Sequence, residues 1–485
     1  MTIDRQELAH FKAFLDEMGY TEDGLLAQLR TARPPSSENY QSVSLQTHEP
    51  TSFNALVRFF LLGNTLPKDA VEKLLPEWIY ELCSKYNFLE TEADKVRAKV
   101  VIVPIGPYVF LSDAFHVVGS EHAAEFILPA STHSANFLKH LMLTEPVDTA
   151  LDLCCGCGIH AVFASGFSKQ VVASDISAAA IHYAQINAAI NGRDNIAFVT
   201  GNVFEALEGQ TFDLIISNPP FVIGPGDEFV YRDNPMVLDE FCRELVREAP
   251  AFLNEGGHLQ MLCEWVEIAG ESWQQRLQNW TKESGCDTWV LRTSPIPTTR
   301  YTSIRLSDLG GPNVDQQGDF GAWMANFKAH QVNAIHPGMI LLRKRSGENW
   351  FHIRNLPIDI KQAAGQTIST CIAACDHTQQ LRSDGALLRA TLQLSTELEL
   401  EQSYERQHNA WQSQKLRLRR TGVLPLEADV DMPVMALLNL FDGSKPVSAC
   451  IEQFVSSSKS DPGKMREQFL PILRMFTERG FLELK

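Results

Sequence analysis

The stretch that decides the fold is Ala150-Leu-Asp-Leu-Cys-Cys-Gly-Cys-Gly158, which is followed by an apolar run over residues 159–165. The first four residues predict a short buried strand, and the apolar run predicts a helix. Gly156 and Gly158 allow the connecting backbone to turn tightly and to approach a ligand with no Cβ in the way. The N–H groups at the start of the helix would face polar ligand atoms. The stretch therefore predicts a strand, a glycine loop and a helix that together bind a ligand.

Strands and helices alternate on both sides of this loop, between residues 121 and 345. The predicted strands cover residues 149–153, 171–173, 196–199, 212–216, 258–263, 288–291 and 339–343. Strands that alternate with helices are typical of a parallel sheet with crossover helices. The sequence therefore predicts an α/β domain over residues 121–345, with a seven-stranded, mostly parallel sheet.

Residues 1–120 are predicted to form a separate α+β module. Helical stretches are followed by two β-type runs, 99–103 and 108–111, which flank a tight turn between Pro104 and Pro107. Helices followed by a hairpin indicate a small winged-helix-like module. Such modules bind nucleic acid or protein, but many serve only for packing, which we favour here because nothing in the stretch is strongly basic.

Residues 346–485 are predicted to form a mainly helical accessory domain. Helices are predicted over residues 381–402 and 405–417, and a small helical bundle followed by a short strand is predicted towards residue 484. The basic cluster at the end of the second helix comprises Lys415, Arg417, Arg419 and Arg420. We interpret this cluster as a solvated helix end rather than as a phosphate site.

The composition of the 485-residue chain excludes several classes of protein. Its net charge of −17 disfavours a protein that coats nucleic acid, because phosphate binding relies on many Lys and Arg contacts. No apolar stretch reaches the ~18 residues that span a bilayer, and residues 1–14 lack an apolar signal core. We therefore expect a cytoplasmic protein without a membrane partner. The ten cysteines form no disulfide framework. Cys371 and Cys375 have a spacing that zinc could use, but no Cys/His pair at close spacing completes the set, so no metal is predicted.

A carboxylate follows the second predicted strand, at Asp175. It lies 19 residues after Gly156, close to the ~20 typical of dinucleotide sites, and could accept from both ribose hydroxyls of an NAD-type or an S-adenosyl ligand. Ser177 is the better candidate for the N-cap of the next helix, which leaves Asp175 for the ligand. Asp152, on the strand before the glycines, favours S-adenosylmethionine, because a carboxylate there suits an α-amino group and not a pyrophosphate.

The most specific motif is Asn218-Pro219-Pro220-Phe221, directly after the fourth predicted strand. The two prolines stiffen the backbone and remove two N–H donors. The Asn218 side-chain oxygen and the adjacent prolyl carbonyl could accept both protons of an –NH₂ group, and Phe221 offers a ring face to a planar amide or base. Two such hydrogen bonds would stabilise the nitrogen as it becomes pyramidal during methyl transfer. The alternative is a rigid exit from the strand without a ligand.

With these motifs, residues 149–265 resemble the class I S-adenosylmethionine-dependent methyltransferases. Within these they are similar to the Asn-Pro-Pro-Tyr/Phe branch, which includes release-factor glutamine, rRNA guanine-N2 and adenine-N6 methyltransferases. The resemblance implies a Rossmann-like methyltransferase sheet, S-adenosylmethionine as cofactor and Asn218, Pro219, Pro220 and Phe221 as catalytic residues. The predicted cofactor-binding residues are Asp152, Cys154, Gly156, Gly158, Asp175, Ile176, Asn202 and Val203. Cys154 stands where the family usually has its first glycine, and Asn202, with Val203, would border the adenine.

The predicted activity is N-methylation of an amide or amino nitrogen in a macromolecule of the translation machinery, either a release-factor glutamine or an rRNA base. Tyr231 and Arg232, in the loop after the tetrapeptide, could orient this protein or RNA substrate, or could form a surface salt bridge with Glu228 or Asp233. Two alternatives are a small-molecule N-methyltransferase and a non-catalytic module that keeps the ligand pocket and holds nucleic acid or protein. The sequence sets no oligomeric state.

Overall fold

The fold was obtained as a computed structural model. It describes residues 3–32, 37–114, 126–130, 133–226, 236–308, 316–356, 360, 362–407, 410–421, 426–458 and 461–485. The chain divides into two compact units, one of Met1–Lys139 with Pro146–Asn355 and the other of His140–Glu145 with Leu356–Lys485. In the part that the structure describes, no helix has both the length and the apolar character needed to cross a bilayer.

The first part of the larger unit is mixed helix and strand. It contains α1 (Arg5–Glu17), α2 (Glu22–Leu29), α3 (Ser37–Gln46), α4 (Ser52–Leu56), a π-helical turn (Val57–Leu61), β1 (Leu66–Pro67), α5 (Lys68–Leu74), α6 (Glu77–Lys85), β2 (Leu89–Glu92), β3 (Lys95–Ala98), β4 (Val100–Ile105) and β5 (Tyr108–Asp113). Strands β1, β3 and β2 form one sheet, and β4 and β5 form a separate hairpin. The hairpin around the Pro104–Pro107 turn is therefore confirmed, but it lies outside the three-stranded sheet. The winged-helix-like character of the module stays a prediction.

The rest of the larger unit is an alternating α/β domain. It contains α7 (His133–Leu141), β6 (Val147–Leu153), α8 (Ile159–Ala164), β7 (Ser168–Asp175), α9 (Ala178–Ile190), β8 (Ile196–Thr200), β9 (Phe212–Ser217), α10 (Glu240–Glu248), β10 (Leu253–Ile268), α11 (Trp273–Thr281), β11 (Cys286–Arg292), β12 (Ile296–Pro297), α12 (Thr298–Asp308), α13 (Gln316–Ala329), β13 (Val332–Lys344) and β14 (Phe351–Asn355). Short 3₁₀ helices cover Glu205–Leu207 and Ala249–Phe252.

Among the described residues the sheet has nine strands, in the order β14-β11-β13-β10-β9-β6-β7-β8, with β12 paired to β13. The strands from β8 to β10 run parallel, whereas β13 is antiparallel to β10 and β11. All seven predicted strands are present as β6 to β11 and β13. The predicted count of seven is wrong, since the sheet also contains β12 and β14. Neither strand has an apolar run that the sequence could show, because β12 has only two residues and the edge strand β14 is half-buried and partly polar.

The order of the strands reverses between β6 and β9, which lie side by side at the centre of the sheet. Their register aligns Leu153 with Ser217, and β6 and β7 align Leu153 with Ser174. Strand β8 continues the alignment, since Asp175 lies opposite Thr200. The loops after these four strands therefore leave the same edge of the sheet at the reversal point, where open α/β sheets bind their ligands.

The hairpin of β4 and β5 is fastened to helix α9 by two asparagine side chains. Asn187 Oδ1 accepts from the Leu111 N–H (2.8 Å) and its Nδ2 donates to the Leu111 carbonyl (2.8 Å). Asn191 does the same with Val109, at 2.9 and 2.7 Å. These amides pair with the strand edge as another strand would. The hairpin thus forms part of the larger unit's packing.

The smaller unit combines helices with two three-stranded sheets, β19-β15-β20 and β16-β17-β18. Its elements are α14 (Gly365–Gln380), α15 (Asp384–Arg389), β15 (Thr391–Leu394), β16 (Leu398–Gln407), β17 (Ala410–Arg420), β18 (Leu426–Val430), α16 (Met432–Leu438), β19 (Asp442–Pro446), α17 (Val447–Ser458), α18 (Pro462–Glu478) and β20 (Leu482–Leu484). The bundle of α16 to α18 and the last strand were predicted. The predicted helix over residues 405–417 is wrong, and so is most of the one over 381–402, of which only Asp384–Arg389 is helical while the rest contains β15 and the first half of β16.

These two stretches form the hairpin of β16 and β17 because their apolar residues repeat every second position. Leu416 and Leu418 are buried, while the alternate residues Lys415, Arg417 and Arg419 are more exposed, which is the period of a strand. The basic cluster is therefore not a helix end. Each of its side chains is paired with an acid: Lys415–Asp429 (2.8 Å), Arg417–Glu427 (3.0 Å), Arg419–Glu401 (3.7 Å) and Arg420–Glu397 (2.9 Å).

Candidate active site

A cavity of about 830 Å³ opens at the carboxyl edge of the sheet, beside the point of reversal. Its size lies in the range of small-molecule sites. Of the residues predicted from the motifs, the cavity wall contains Cys154, Gly156, Asp175, Ile176, Asn202, Val203, Asn218 and Pro220. The glycine loop and the tetrapeptide, 60 residues apart in the chain, therefore share one cavity.

The backbone of the glycine loop turns through three residues in the left-handed region. Cys154, Gly156 and Gly158 have φ of +60°, +52° and +77°. A left-handed conformation is free for glycine but costs other L-residues roughly 1–2 kcal/mol. Cys154 thus keeps the conformation that glycine favours, at the place where the resembling family has glycine. Burial raises the pKa of the Cys154 thiol well above its usual value, so the thiol is uncharged.

Asp152 lies beneath the glycine loop and is fully buried. Its Oδ2 accepts from the Ala161 N–H in helix α8 (2.8 Å), and its Oδ1 has no hydrogen-bond partner among the described residues. Burial raises the pKa of Asp152 well above its usual value. Asp152 ties the strand to the following helix, and it lies behind the residues that line the cavity.

His160 lines the cavity next to Asp152, a position that sequence reasoning missed because the residue lies in an apolar helix. Its Nε2 lies 3.2 Å from the Ala135 carbonyl, and its Nδ1 lies 3.8 Å from Asp152 Oδ1. Burial lowers the pKa of His160 to about 4, so the ring is neutral at pH 7. Because Nε2 faces a carbonyl, it carries the proton, and Nδ1 is an acceptor.

Asp175 is held at the cavity wall by two backbone amides. Its Oδ2 accepts from the Gly156 N–H (2.9 Å) and its Oδ1 from the Ser177 N–H (2.9 Å). Ser177 caps helix α9 through the Ala180 N–H (3.2 Å), as predicted. Burial raises the pKa of Asp175, against the effect of these amides. Each carboxylate oxygen keeps a second lone pair, so Asp175 can still accept from hydroxyl groups of a ligand.

Another part of the cavity wall mixes apolar and acidic side chains. Ile176 is 58% exposed at the rim, and Val203 has an unusual φ of +34°. Three glutamates that the motifs did not indicate also line the cavity: Glu205, Glu244 and Glu248. The pKa of Glu248 is raised, first by its burial and then by the negative charges of Glu244 and Glu205. Glu244 and Glu248 lie one turn apart on helix α10, whereas Glu205 lies in the 3₁₀ helix Glu205–Leu207, so no local pattern could have shown that Glu205 meets the other two.

The side-chain amide of Asn218 belongs to another part of the cavity wall, on the turn after β9. Its Nδ2 donates to Ser134 Oγ (3.4 Å), whereas its buried Oδ1 has no hydrogen-bond partner among the described residues. The strand end before it is fixed, because Ser217 Oγ donates to the Leu153 carbonyl of β6 (2.8 Å). An acceptor without a donor in a buried place is costly, and a ligand N–H group would satisfy it.

Four predicted site residues are not part of the cavity wall: Asp152, Gly158, Pro219 and Phe221. Gly158 is required by packing, since a Cβ there would lie 2.8 Å from Ala184 Cβ on helix α9. Phe221 packs against the apolar residues around it and lies 6.0 Å below the Arg305 guanidinium. Tyr231 and Arg232, the predicted substrate contacts, lie outside the described residues.

Residues 132–270 match the family model described as the methyltransferase small domain. The resemblance to class I S-adenosylmethionine-dependent methyltransferases is confirmed for this part of the chain. A second model, a domain of unknown function, matches residues 373–484.

Three relatives show what the methyltransferase part is similar to. The release factor glutamine methyltransferase of Xylella fastidiosa is 38% identical over 21% of this chain and 40% of its own length. The ribosomal protein uL3 glutamine methyltransferase of the same species is 33% identical over 35% of this chain and 54% of its own. The ribosomal RNA small subunit methyltransferase C of Salmonella arizonae is 33% identical over 23% of this chain and 30% of its own. The chain thus spans about half or less of each relative.

Proposed function

We propose that this protein is an S-adenosylmethionine-dependent N-methyltransferase whose acceptor is an amide or amino nitrogen in a macromolecule of the translation machinery. The observation that carries the proposal is Asn218, which lines the same cavity as Asp175 and Gly156 and whose buried Oδ1 has no hydrogen-bond partner among the described residues. Relatives that act on a release factor, a ribosomal protein or rRNA support this class of acceptor.

The residues at the cavity fit S-adenosylmethionine. Asp175 is a buried carboxylate with lone pairs left for the two ribose hydroxyls, and Gly156 leaves open space where a Cβ would stand. Asn202 and Val203 would border the adenine, and Cys154 and Ile176 would complete the wall around it. When bound, the sulfonium supplies an already activated methyl group, so that the protein has mainly to place the acceptor nitrogen in line with it.

Placing the acceptor falls to the Asn218 turn. The Asn218 Oδ1 and the adjacent Pro219 carbonyl would accept the two hydrogens of an –NH₂ group, and the bond from Asn218 Nδ2 to Ser134 Oγ fixes the orientation of the side-chain amide. These two acceptors favour the pyramidal nitrogen that develops as the methyl carbon approaches. Phe221 would support the planar group that carries the nitrogen. The nitrogen loses its extra proton to solvent after transfer, so the turn needs no strong base.

The test of catalysis is the variant Asn218→Ala. We expect methyl transfer from tritiated donor to fall about 100-fold or more, because a transition-state hydrogen bond is lost, while the dissociation constant of the donor changes less than about two-fold. Asn191→Ala, which removes the asparagine directly after helix α9, is the matched control. A fully active Asn218→Ala, or calorimetry that detects no binding of the donor or its demethylated product to the wild type, would overturn the proposal.

The acceptor itself is located by incubating the protein with tritiated donor and fractionated extract of a strain that lacks it. Label that is sensitive to protease and resistant to ribonuclease supports a glutamine acceptor, and the reverse supports an rRNA base. Label found only in the low-molecular-weight fraction would instead support the small-molecule alternative.

A further inference from the structure

The turn that begins at Asn218 cannot be tied down by its own first amides, since Pro219 and Pro220 have no N–H group. Its attachment comes at Ile223, whose N–H donates to the hydroxyl of Tyr301 (3.0 Å). Tyr301 lies on helix α12, 78 positions further along the chain, and is fully buried. The turn is therefore anchored by a side chain from a distant part of the domain.

The hydroxyl of Tyr301 has a defined direction, because it has a single proton to donate. It donates that proton to Glu264 Oε2 and accepts from the Ile223 N–H. Glu264 is also buried, and burial raises the pKa of Tyr301 above its ordinary value, so the hydroxyl stays protonated. The three groups form a chain from the turn through Tyr301 to strand β10.

Arg305, one turn further along helix α12, completes this arrangement. Its Nη2 pairs with Glu264 Oε1, which balances the charge of the buried carboxylate. Its guanidinium lies 5.1 Å from the ring centre of Tyr301 and 6.0 Å from that of Phe221. Arg305 thereby connects the same carboxylate to the aromatic residue that ends the tetrapeptide.

The support for this chain of contacts is a part of strand β10 that extends past its neighbour β9. Pairing between β10 and β9 ends at Met261 and Ser217, whereas pairing between β10 and β13 continues to Ile268. Glu264 lies on this extension. The Val266 N–H, two residues further along β10, donates to Asp239 Oδ2 (2.9 Å). Asp239 directly precedes helix α10.

Packing reinforces the same attachment. Val222 and Ile223 belong to an apolar core formed largely by helices α12 and α13, with Tyr301, Trp323 and Phe327. A Cβ placed on Gly224 would lie 2.7 Å from the ring of Trp323, so this ring lies directly on the backbone. The end of the turn thus rests on residues that follow the five parallel strands in sequence.

We propose that Tyr301, oriented by Glu264 and Arg305, is a positioning residue that holds the Asn218–Phe221 turn in place for methyl transfer. The inference rests on the proposed function and adds to it a residue that touches neither donor nor acceptor. In-line transfer needs close control of the acceptor, and a misplacement of about 1 Å can cost on the order of 100-fold in rate. A tyrosine that merely filled space would work equally well as phenylalanine.

The test is Tyr301→Phe, which removes the hydroxyl and leaves the ring. We expect kcat to fall about 10- to 100-fold with the donor dissociation constant unchanged. We also expect faster hydrogen exchange at the Ile223 amide of the full chain. The exchange is measured after digestion, on the peptide that covers residues 221–226. The matched control is Tyr183→Phe, whose hydroxyl donates to Asp113 Oδ1 (2.7 Å) away from the turn. It should leave both kcat and this exchange rate unchanged.

Two further variants separate positioning from a loss of stability. Glu264→Gln keeps an acceptor for the tyrosine and should lose less activity than Glu264→Ala. Wild-type kcat or unchanged exchange at Ile223 in Tyr301→Phe would overturn the inference. If the wild type itself transfers no methyl group, the proposed function fails, whereas faster exchange in Tyr301→Phe would still support the hydroxyl as the anchor of the turn.

Discussion

Two parts of the cavity wall, the glycine loop after β6 and the Asn218 turn after β9, leave adjacent strands but are held in different ways. The glycine loop is fixed by nearby residues: Asp152 accepts from Ala161, and Asp175 accepts from Gly156. The Asn218 turn is fixed by Ser134, Tyr301 and Trp323, which lie about 80 to 105 positions away.

This difference shows how one cavity can combine two kinds of support. A donor that many methyltransferases share needs the same small loop, which backbone hydrogen bonds over a short stretch can build. Under the proposed function the Asn218 turn has to place one particular nitrogen, and the end of this turn, at Ile223 and Gly224, is held by residues of helices α12 and α13. We therefore expect substitutions near the glycine loop to affect stability and donor binding, and substitutions near the turn to affect turnover.

The largest effect is expected for Gly158→Ala, in the glycine loop. The new Cβ would lie 2.8 Å from Ala184 Cβ on a backbone with φ of +77°, so strain and overpacking combine to about 3 kcal/mol of lost stability. Gly156→Ala is the matched control. It also has a positive φ but meets nothing within 4 Å, so it should cost only ~1 kcal/mol. Urea unfolding of both variants measures the difference, and equal losses would show that contact with α9 does not matter.

Lowering the pH should reduce the free energy of unfolding through His160, which lies in the helix after the glycine loop. The pKa of His160 is about 4 in the folded protein and ordinarily about 6.5, so the unfolded chain binds a proton first as the pH falls. Stability from this group is complete above pH 6.5 and is lost as the pH falls towards 4, by about 2 kcal/mol between pH 7 and pH 5.

The measurement is the free energy of unfolding at pH 7 and pH 5, for the wild type and for His160→Leu. Other groups, such as Asp152 with its raised pKa, contribute with the opposite sign in both proteins. The difference between the two proteins therefore isolates the histidine. A pH dependence that is the same in both would contradict a neutral, buried His160.

On the side of the turn, Gly224→Ala should cost about 2 kcal/mol and also lower kcat, because the Trp323 ring has to move away from the new Cβ. Gly321→Ala, on helix α13, is the control: it meets nothing within 4 Å and should stabilise the helix by ~0.5–1 kcal/mol. Thermal unfolding and steady-state rates check both. Normal turnover in Gly224→Ala would mean that the turn does not depend on this contact.

The smallest effect is expected for Cys154→Gly. It removes a side chain from a left-handed residue with φ of +60°, which should add ~1 kcal/mol, less whatever the thiol contributes by packing. Unfolding in urea measures the change. A loss of stability would show that the thiol's contacts outweigh the backbone strain.

Much of the glycine-loop side of the cavity could be predicted because its contacts are local. A strand, two glycines and a carboxylate after the next strand place Gly156 and Asp175 together once the sheet is parallel, and the structure joins them by a hydrogen bond. The hairpin of β16 and β17 was predicted to be helical because charged and apolar residues were read with the wrong period. Pairing with β18, from later in the chain, buries Leu416 and Leu418 there.

The sequence by itself determined where the central strands lie along the chain and which motifs follow them, and it predicts the class of ligand that these motifs would suit. These features depend on backbone conformation and on residues close together in the chain. Only the tertiary structure decided that Tyr301, Glu264 and Arg305 meet behind the Asn218 turn and that His160 lies at the cavity wall. The physical reason is that a hydrogen bond between buried side chains requires a contact in space, and no local pattern records a partner 78 positions away.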